Sequence, residues 1–109
     1  MKTEKKTFTI NVADRPSYNI IQKEAEILGQ FGYKGRLWIV HREWIYNRFG
    51  SWYTVSDYIT GLAIGTSHIT QKQAIYEAKK KLKSYTKAHI EEHIRNMAIK
   101  YNITKFNKI

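Results

Sequence analysis

The side chains of this chain that could do chemistry are few, and the clearest spacing among them is His89-Ile90-Glu91-Glu92-His93. It matches H-x-x-E-H, in which two imidazoles one helical turn apart ligate zinc and the Glu serves as general base. Such a centre needs a third ligand, in that class a downstream acid, and neither an acid nor an imidazole follows His93. His41 or His68 would supply it only by crossing from another element. The expectation is therefore a polar helix face stabilised by neighbouring contacts, with no metal.

The remaining catalytic sets are thinner still. Asp14 and Asp57 are the only aspartates, and no pair of carboxylates can be placed together for acid/base or two-metal chemistry. Cysteine is absent, which removes thiolate nucleophiles, disulfides and Cys-ligated metal. Gly29, Gly32 and Gly35 recur every third residue, but no Gly-Lys-Ser/Thr follows them, so a phosphate loop has no basis. Ser and His occur without a nucleophile elbow. These absences lead to the expectation of a non-enzymatic protein without a cofactor.

Charge and aromatic content point instead to binding. Nineteen Lys and Arg against nine acids give a net charge of +10. Ten of those cations lie in residues 70–109 against only Glu77, Glu91 and Glu92, so the basicity is concentrated near the carboxy terminus. A field of this sign favours nucleic acid, through counterion release, or an acidic or nucleic-acid-handling protein, through steering. The alternative is a solvated lysine-rich helix face. Trp38, Trp44, Tyr46, Trp52, Tyr53 and Tyr58 fall within twenty-one residues, too many to be buried together in a small sheet. Exposed rings beside Arg36, Arg42 and Arg48 are what base stacking or a protein hot spot uses. The competing reading is that they fill a core short of leucine, which occurs four times.

The elements that must position these residues follow from periodicity. Lys6 to Val12 alternates Phe8, Ile10 and Val12 on one face and reads as a half-buried strand or extended arm. Asp14-Arg15-Pro16-Ser17 has the grammar of a helix start, and Tyr18, Ile21, Ala25 and Leu28 continue a helical stripe flanked by Ile20 and Ile27. Gly29, Gly32 and Gly35 would end that helix. Arg36 to Tyr46 is a strand, buried on both sides in its first half and amphipathic in its second. Asn47-Arg48-Phe49-Gly50 would turn the chain into Trp52 to Ile59, and Thr60-Gly61 would turn it back through Leu62 to Ile64.

In the strand from Trp52 to Ile59, alternation places Tyr53, Val55, Asp57 and Ile59 inward and leaves Trp52, Thr54, Ser56 and Tyr58 for a partner. Asp57 would then need a cation, and Arg42 across the hairpin is the candidate. Thr70 and Gln73 form a capping box, after which Ile75, Ala78, Leu82 and Tyr85 make one apolar stripe. Lys79, Lys80, Lys81 and Lys83 are left around the outside. Ile90, Ile94, Met97 and Tyr101 continue a second helix, and the basic tail from Ile103 is expected to fray.

The α-β-β-β-α order from Ser17 to Lys83 resembles the double-stranded-RNA-binding domain, whose last helix begins with a motif of the type K-K-x-A-K. Here that place reads Gln71-Lys72-Gln73-Ala74-Ile75, with Lys72 and Ala74 matching. The resemblance implies lysines set across the RNA major groove. The same strands and helix are similar to the amino-terminal DNA-binding domains of some mobile-element integrases, which would present a sheet face to a groove. In size and low-GC residue usage the chain also resembles phage and plasmid accessory proteins, among them anti-CRISPR-like inhibitors of host defence nucleases.

The combined expectation is an α+β fold in one domain, with a small antiparallel sheet of three to four strands packed against helices in the order β-α-β-β-β-α-α. Residues 1–16 would be a strand or arm, 17–83 the core, and 84–109 a helix and basic tail that packs on the core or joins two copies as a homodimer. The expected function is nucleic-acid binding, duplex before single strand, with inhibition of a defence nuclease as the alternative. The binding residues would be Arg36, Arg42, Arg48, Trp52, Tyr58, Lys72, Lys79, Lys80, Lys83 and Lys87. With no apolar run of signal-peptide or membrane length, a soluble cytoplasmic protein is expected.

Overall fold

The structure is a computed structural model, and it describes residues 5–108. Residues 1–4 of the expected arm and Ile109 of the expected tail lie outside the described residues. The described residues form five antiparallel strands in two sheets, followed by two helices: the expected α+β class. Strands β1 (Thr7–Ala13) and β2 (Ile20–Glu26) pair as a two-stranded sheet. Strands β3 (Gly29–Tyr33), β4 (Arg36–Ile45) and β5 (Arg48–Asp57) form a three-stranded sheet with β4 central. Helices α1 (Gln71–Lys83) and α2 (Lys87–Lys100) close the chain.

The central strand organises two cores, one on each of its faces. Trp38 and Val40 pack with Val55, Ala78, Leu82 and Ile90 on the helix side. Ile39 packs with Phe8, Ile10 and Ala25 on the β1–β2 side. The first half of β4 is thus buried on both faces, as its unbroken apolar run requires. A register shift between Arg42 and Trp44 then changes the alternation, and Trp44 joins the cluster of Leu37 and Ile39 that strict alternation would oppose.

Where a helix over residues 17–28 is expected, the chain forms β2. The reason lies in the spacing of its apolar residues. Positions 21, 25 and 27 are all odd, so the i, i+4 relation that suits a helix also places Ile21, Ala25 and Ile27 on one side of a strand. Lys23 falls on that same side and masks the alternation, its ammonium lying 5.2 Å from the centre of the Trp44 ring. With no helix there, the α-β-β-β-α order of the RNA-binding resemblance is absent. The three-stranded sheet does not present a bare face either, because helices cover one side and β1–β2 the other.

Turn chemistry accounts for the other differences. Gly29 and Gly32 do not terminate an element but lie within β3, and Tyr33 pairs with Arg36 across a two-residue turn of Lys34 and Gly35. Both turn residues have positive φ, at 49° and 79°, as a tight hairpin matched to strand twist demands. The β4–β5 turn has the same form, with Tyr46 at 51° and Asn47 at 61° between Ile45 and its partner Arg48. Arg48, Phe49 and Gly50 therefore belong to β5 instead of forming the turn. Residues 62–64 give only the bridge between Ser56 and Ala63, reached through a turn in which Gly61 has φ 67°. A Cβ on Gly61 would run into the Thr9 carbonyl, so glycine permits β1 to approach.

The Thr70 cap holds, and Thr86 caps α2 in the same way: each hydroxyl accepts the amide three residues on, Gln73 at 3.1 Å and His89 at 3.1 Å. Ile90, Ile94 and Ala98 turn the buried side of α2 toward the protein interior. The tail does not fray. Asn107 donates from Nδ2 to the carbonyls of Thr9 and Tyr58, each at 2.8 Å, while its Oδ1 accepts the Thr9 amide at 2.9 Å. No helix among the described residues is long and apolar enough to cross a membrane.

Candidate nucleic-acid interface

Lysines from three elements meet along one edge of the molecule. With Ala74, Ala78 and Leu82 turned inward, the helical period puts Lys72, Lys79 and Lys83 together on one flank of α1 and Lys80 at its outermost side. That flank lies beside the edge strand β3, since the Lys79 ammonium sits 5.1 Å from the centre of the Phe31 ring. Lys34, in the β3–β4 turn, donates to the Lys83 carbonyl at 3.2 Å and to the Tyr85 carbonyl. It thereby serves the end of α1, where free carbonyls attract a cation. The stem of Lys87 lies over Gly35, where a Cβ would stand 2.5 Å from its Cε. These contacts bring Lys79, Lys83, Lys34 and Lys87 to one edge, and Lys72 shares their flank of α1.

None of those lysines, nor Lys80, forms a salt bridge among the described residues. Lys81 lies on the opposite flank of α1, where it borders a cleft of about 200 Å³ with Tyr85, His89 and His93. The H-x-x-E-H imidazoles thus face a mainly apolar cleft, and His89 stacks on Tyr85 with ring centres 4.9 Å apart. No group of three or more metal-ligating side chains exists among the described residues.

Arg42, Arg48 and Trp52 belong to the β4–β5 hairpin, an element that supplies none of the lysines above. Arg42 is exposed, with its guanidinium 4.6 Å from the Tyr53 ring centre and Nη1 donating to the Ser51 carbonyl at 2.6 Å. Trp52 is 46 % exposed, and Ile45 and Phe49 are exposed beside it. The other members of the anticipated Trp52 face are not available. Thr54 and Ser56 are buried, and Tyr58 stacks on Phe8 while donating to the Lys108 carbonyl at 2.7 Å.

Arg36 is likewise held inside the fold. Its Nε and Nη2 donate to the two oxygens of Asp57 at 2.7 and 2.9 Å, and its Nη1 donates to Glu91. Asp57 is fully buried and accepts two further bonds from Thr60, through the amide and the hydroxyl. The partner of Asp57 is therefore Arg36 and not Arg42, because Asp57 lies opposite Trp38 whereas Arg42 lies opposite Tyr53. Hydrogen bonding to Asp57 raises the Arg36 pKa, and Glu91 adds to that rise against the opposing effect of burial.

The sequence placed Tyr18 in a helical stripe and Tyr46 in the aromatic cluster and gave no reason to join them to Arg15, as the structure does. The Arg15 guanidinium is 5.4 Å from the Tyr18 ring centre and 5.9 Å from that of Tyr46. An Arg-Pro-Ser-Tyr run next to a loop signal, and a Tyr-Asn pair at a hairpin apex, were the available hints. No protein-family model matches the chain, and no curated protein or solved structure matches it. The charge geometry is what bears on function.

Proposed function

We propose that this protein binds duplex nucleic acid without catalysing a reaction, using Lys72, Lys79, Lys80 and Lys83 of α1 together with Lys34 and Lys87. One observation carries the reading: these cations come from separate elements to one edge, and none has an acidic partner among the described residues. Lysines arranged this way neutralise phosphates and release counterions, which favours a polyanion over a compact acidic ligand. The hairpin carrying Arg42, Arg48 and Trp52 supplies a second contact. Arg36 and Tyr58 are assigned to the architecture.

Reversal of Lys79, Lys80 and Lys83 to Glu is expected to weaken affinity for a short blunt duplex at least about tenfold while leaving thermal unfolding nearly unchanged. Titration by fluorescence anisotropy against DNA and RNA duplexes reads both the loss and the preference. Affinity unaltered by the triple reversal would remove the helix from the interface.

A second reading is supported by the exposure of Trp52 and Phe49 beside two arginines, the residue types that anchor protein interfaces. On that reading the partner is an acidic or nucleic-acid-handling protein, such as a defence nuclease. Loss of nuclease inhibition on Trp52→Ala, with duplex affinity absent in the parent protein, would favour it.

A further inference from the structure

The end of the molecule that carries Arg15 is built from two hairpin tips clasped together. Asn47, at the apex of β4–β5, accepts the Arg15 amide through Oδ1 at 3.0 Å and donates from Nδ2 to the Arg15 carbonyl at 2.7 Å. Within the β1–β2 tip the Tyr18 amide donates to the Asp14 carbonyl at 2.7 Å, and Ser17 donates its hydroxyl to the Asp14 carboxylate at 3.1 Å. Tyr18, Tyr46 and Asn47 all hold left-handed backbone, with φ of 61°, 51° and 61°. For tyrosine this conformation is unfavourable by about 1 kcal/mol or more, so the surrounding bonds must impose it. The consequence is two tyrosines on constrained backbone, with their ring centres 5.4 and 5.9 Å from one guanidinium.

Those rings are outside any core. Tyr18 is 64 % and Tyr46 71 % exposed, and neither belongs to either hydrophobic cluster. Burial therefore does not account for aromatic residues at strained positions. Arg15 forms no salt bridge among the described residues, and the Asp14 carboxylate is engaged by Ser17.

From this geometry we infer that Arg15, Tyr18 and Tyr46 form a stacking site for unpaired nucleobases in a nucleic-acid strand. The inference rests on the nucleic-acid reading above and specifies its ligand: a duplex that carries a single-stranded extension. Flat aromatic faces and a guanidinium plane stack on any base, while the guanidinium charge meets the adjoining phosphate. A paired base has its faces covered by its neighbours and offers nothing to these rings. An unpaired base in an overhang does.

The test compares a blunt duplex with the same duplex bearing a four-nucleotide overhang that contains 2-aminopurine, whose fluorescence responds to stacking. The parent protein is expected to prefer the overhang by about tenfold and to change its fluorescence. The paired substitution Tyr18→Asn and Tyr46→Asn removes both rings while keeping a residue type that tolerates left-handed backbone. It is expected to abolish the preference and the fluorescence change, with blunt-duplex affinity and melting temperature retained. Persistence of both signals in the Asn variant would overturn the inference, as would equal affinity of the parent for the two duplexes. Failure of the lysine ridge reads differently, as blunt-duplex affinity that survives reversal of Lys79, Lys80 and Lys83. Absence of binding to either duplex would overturn both proposals and direct the tip to a protein partner.

Discussion

His41 shows how one residue takes its chemistry from its surroundings. It is almost fully buried, Phe8 meets its ring edge-on at 5.5 Å, and its Nδ1 lies 2.7 Å from the Arg42 carbonyl. A carbonyl can only accept, so Nδ1 carries the proton, and Nε2 accepts from the Ser56 hydroxyl at 2.7 Å. Burial holds the pKa below the ordinary 6.5, outweighing the bond to Arg42, which acts in the other direction. The unfolded chain therefore takes up the proton first as pH falls. The stabilising contribution is complete above about pH 6.5 and is lost on acidification toward the folded pKa. Chemical denaturation between pH 7 and pH 5 is expected to show a steeper fall in stability for the parent than for His41→Gln. Parallel curves would rule out a neutral buried imidazole. At this scale the sequence disclosed that Asp57 required a cation, but it pointed to Arg42, and only the strand register gave the place to Arg36.

At the scale of elements, the cap and stripe of α1 were legible while the strand over residues 20–26 was not. Thr70 and the apolar stripe behind it specify α1 through local bonds and a single buried face. Residues 20–26 satisfy both periods at once, and only pairing with β1 decides between them. The tail offers a similar contrast, since a short basic segment has no local reason to stay in place. Asn107 holds it through three side-chain bonds and a backbone donation to the Ile59 carbonyl at 2.9 Å. Asn107→Ala is expected to lower stability by about 2–3 kcal/mol, at roughly 1 kcal/mol per lost bond. Urea unfolding measures it, and a change below about 0.5 kcal/mol would mean that the tail contributes no more than an ordinary surface segment.

For the whole molecule, charge is the property with the furthest reach. A net +10 attracts polyanions at long range, but the row along α1 and β3 determines how many phosphates can be met together. If Lys34, Lys72, Lys79, Lys80, Lys83 and Lys87 all engage, the logarithm of affinity should fall against the logarithm of salt with a slope of about −5. Equilibrium titrations across a range of salt concentrations give that slope directly. A slope near −1 would show that the lysines do not act as a unit.

The sequence by itself determined the α+β class, the two-sided burial of Leu37 to Val40, the Thr70 cap of α1 and the excess of positive charge. Each of these depends on neighbours within a few residues or on composition, which local reading can weigh. Tertiary structure alone decided that residues 20–26 are a strand, that Arg36 is bound to Asp57 and Glu91, and that Tyr58 is engaged by Phe8 and the Lys108 carbonyl. It also brought Lys34 and Lys87 to the α1 ridge, and Arg15 beside two tyrosines. These outcomes depend on which strands pair, in which register, and on what packs over each face. Such contacts join residues far apart in the chain, and their energies are settled only when the whole core closes.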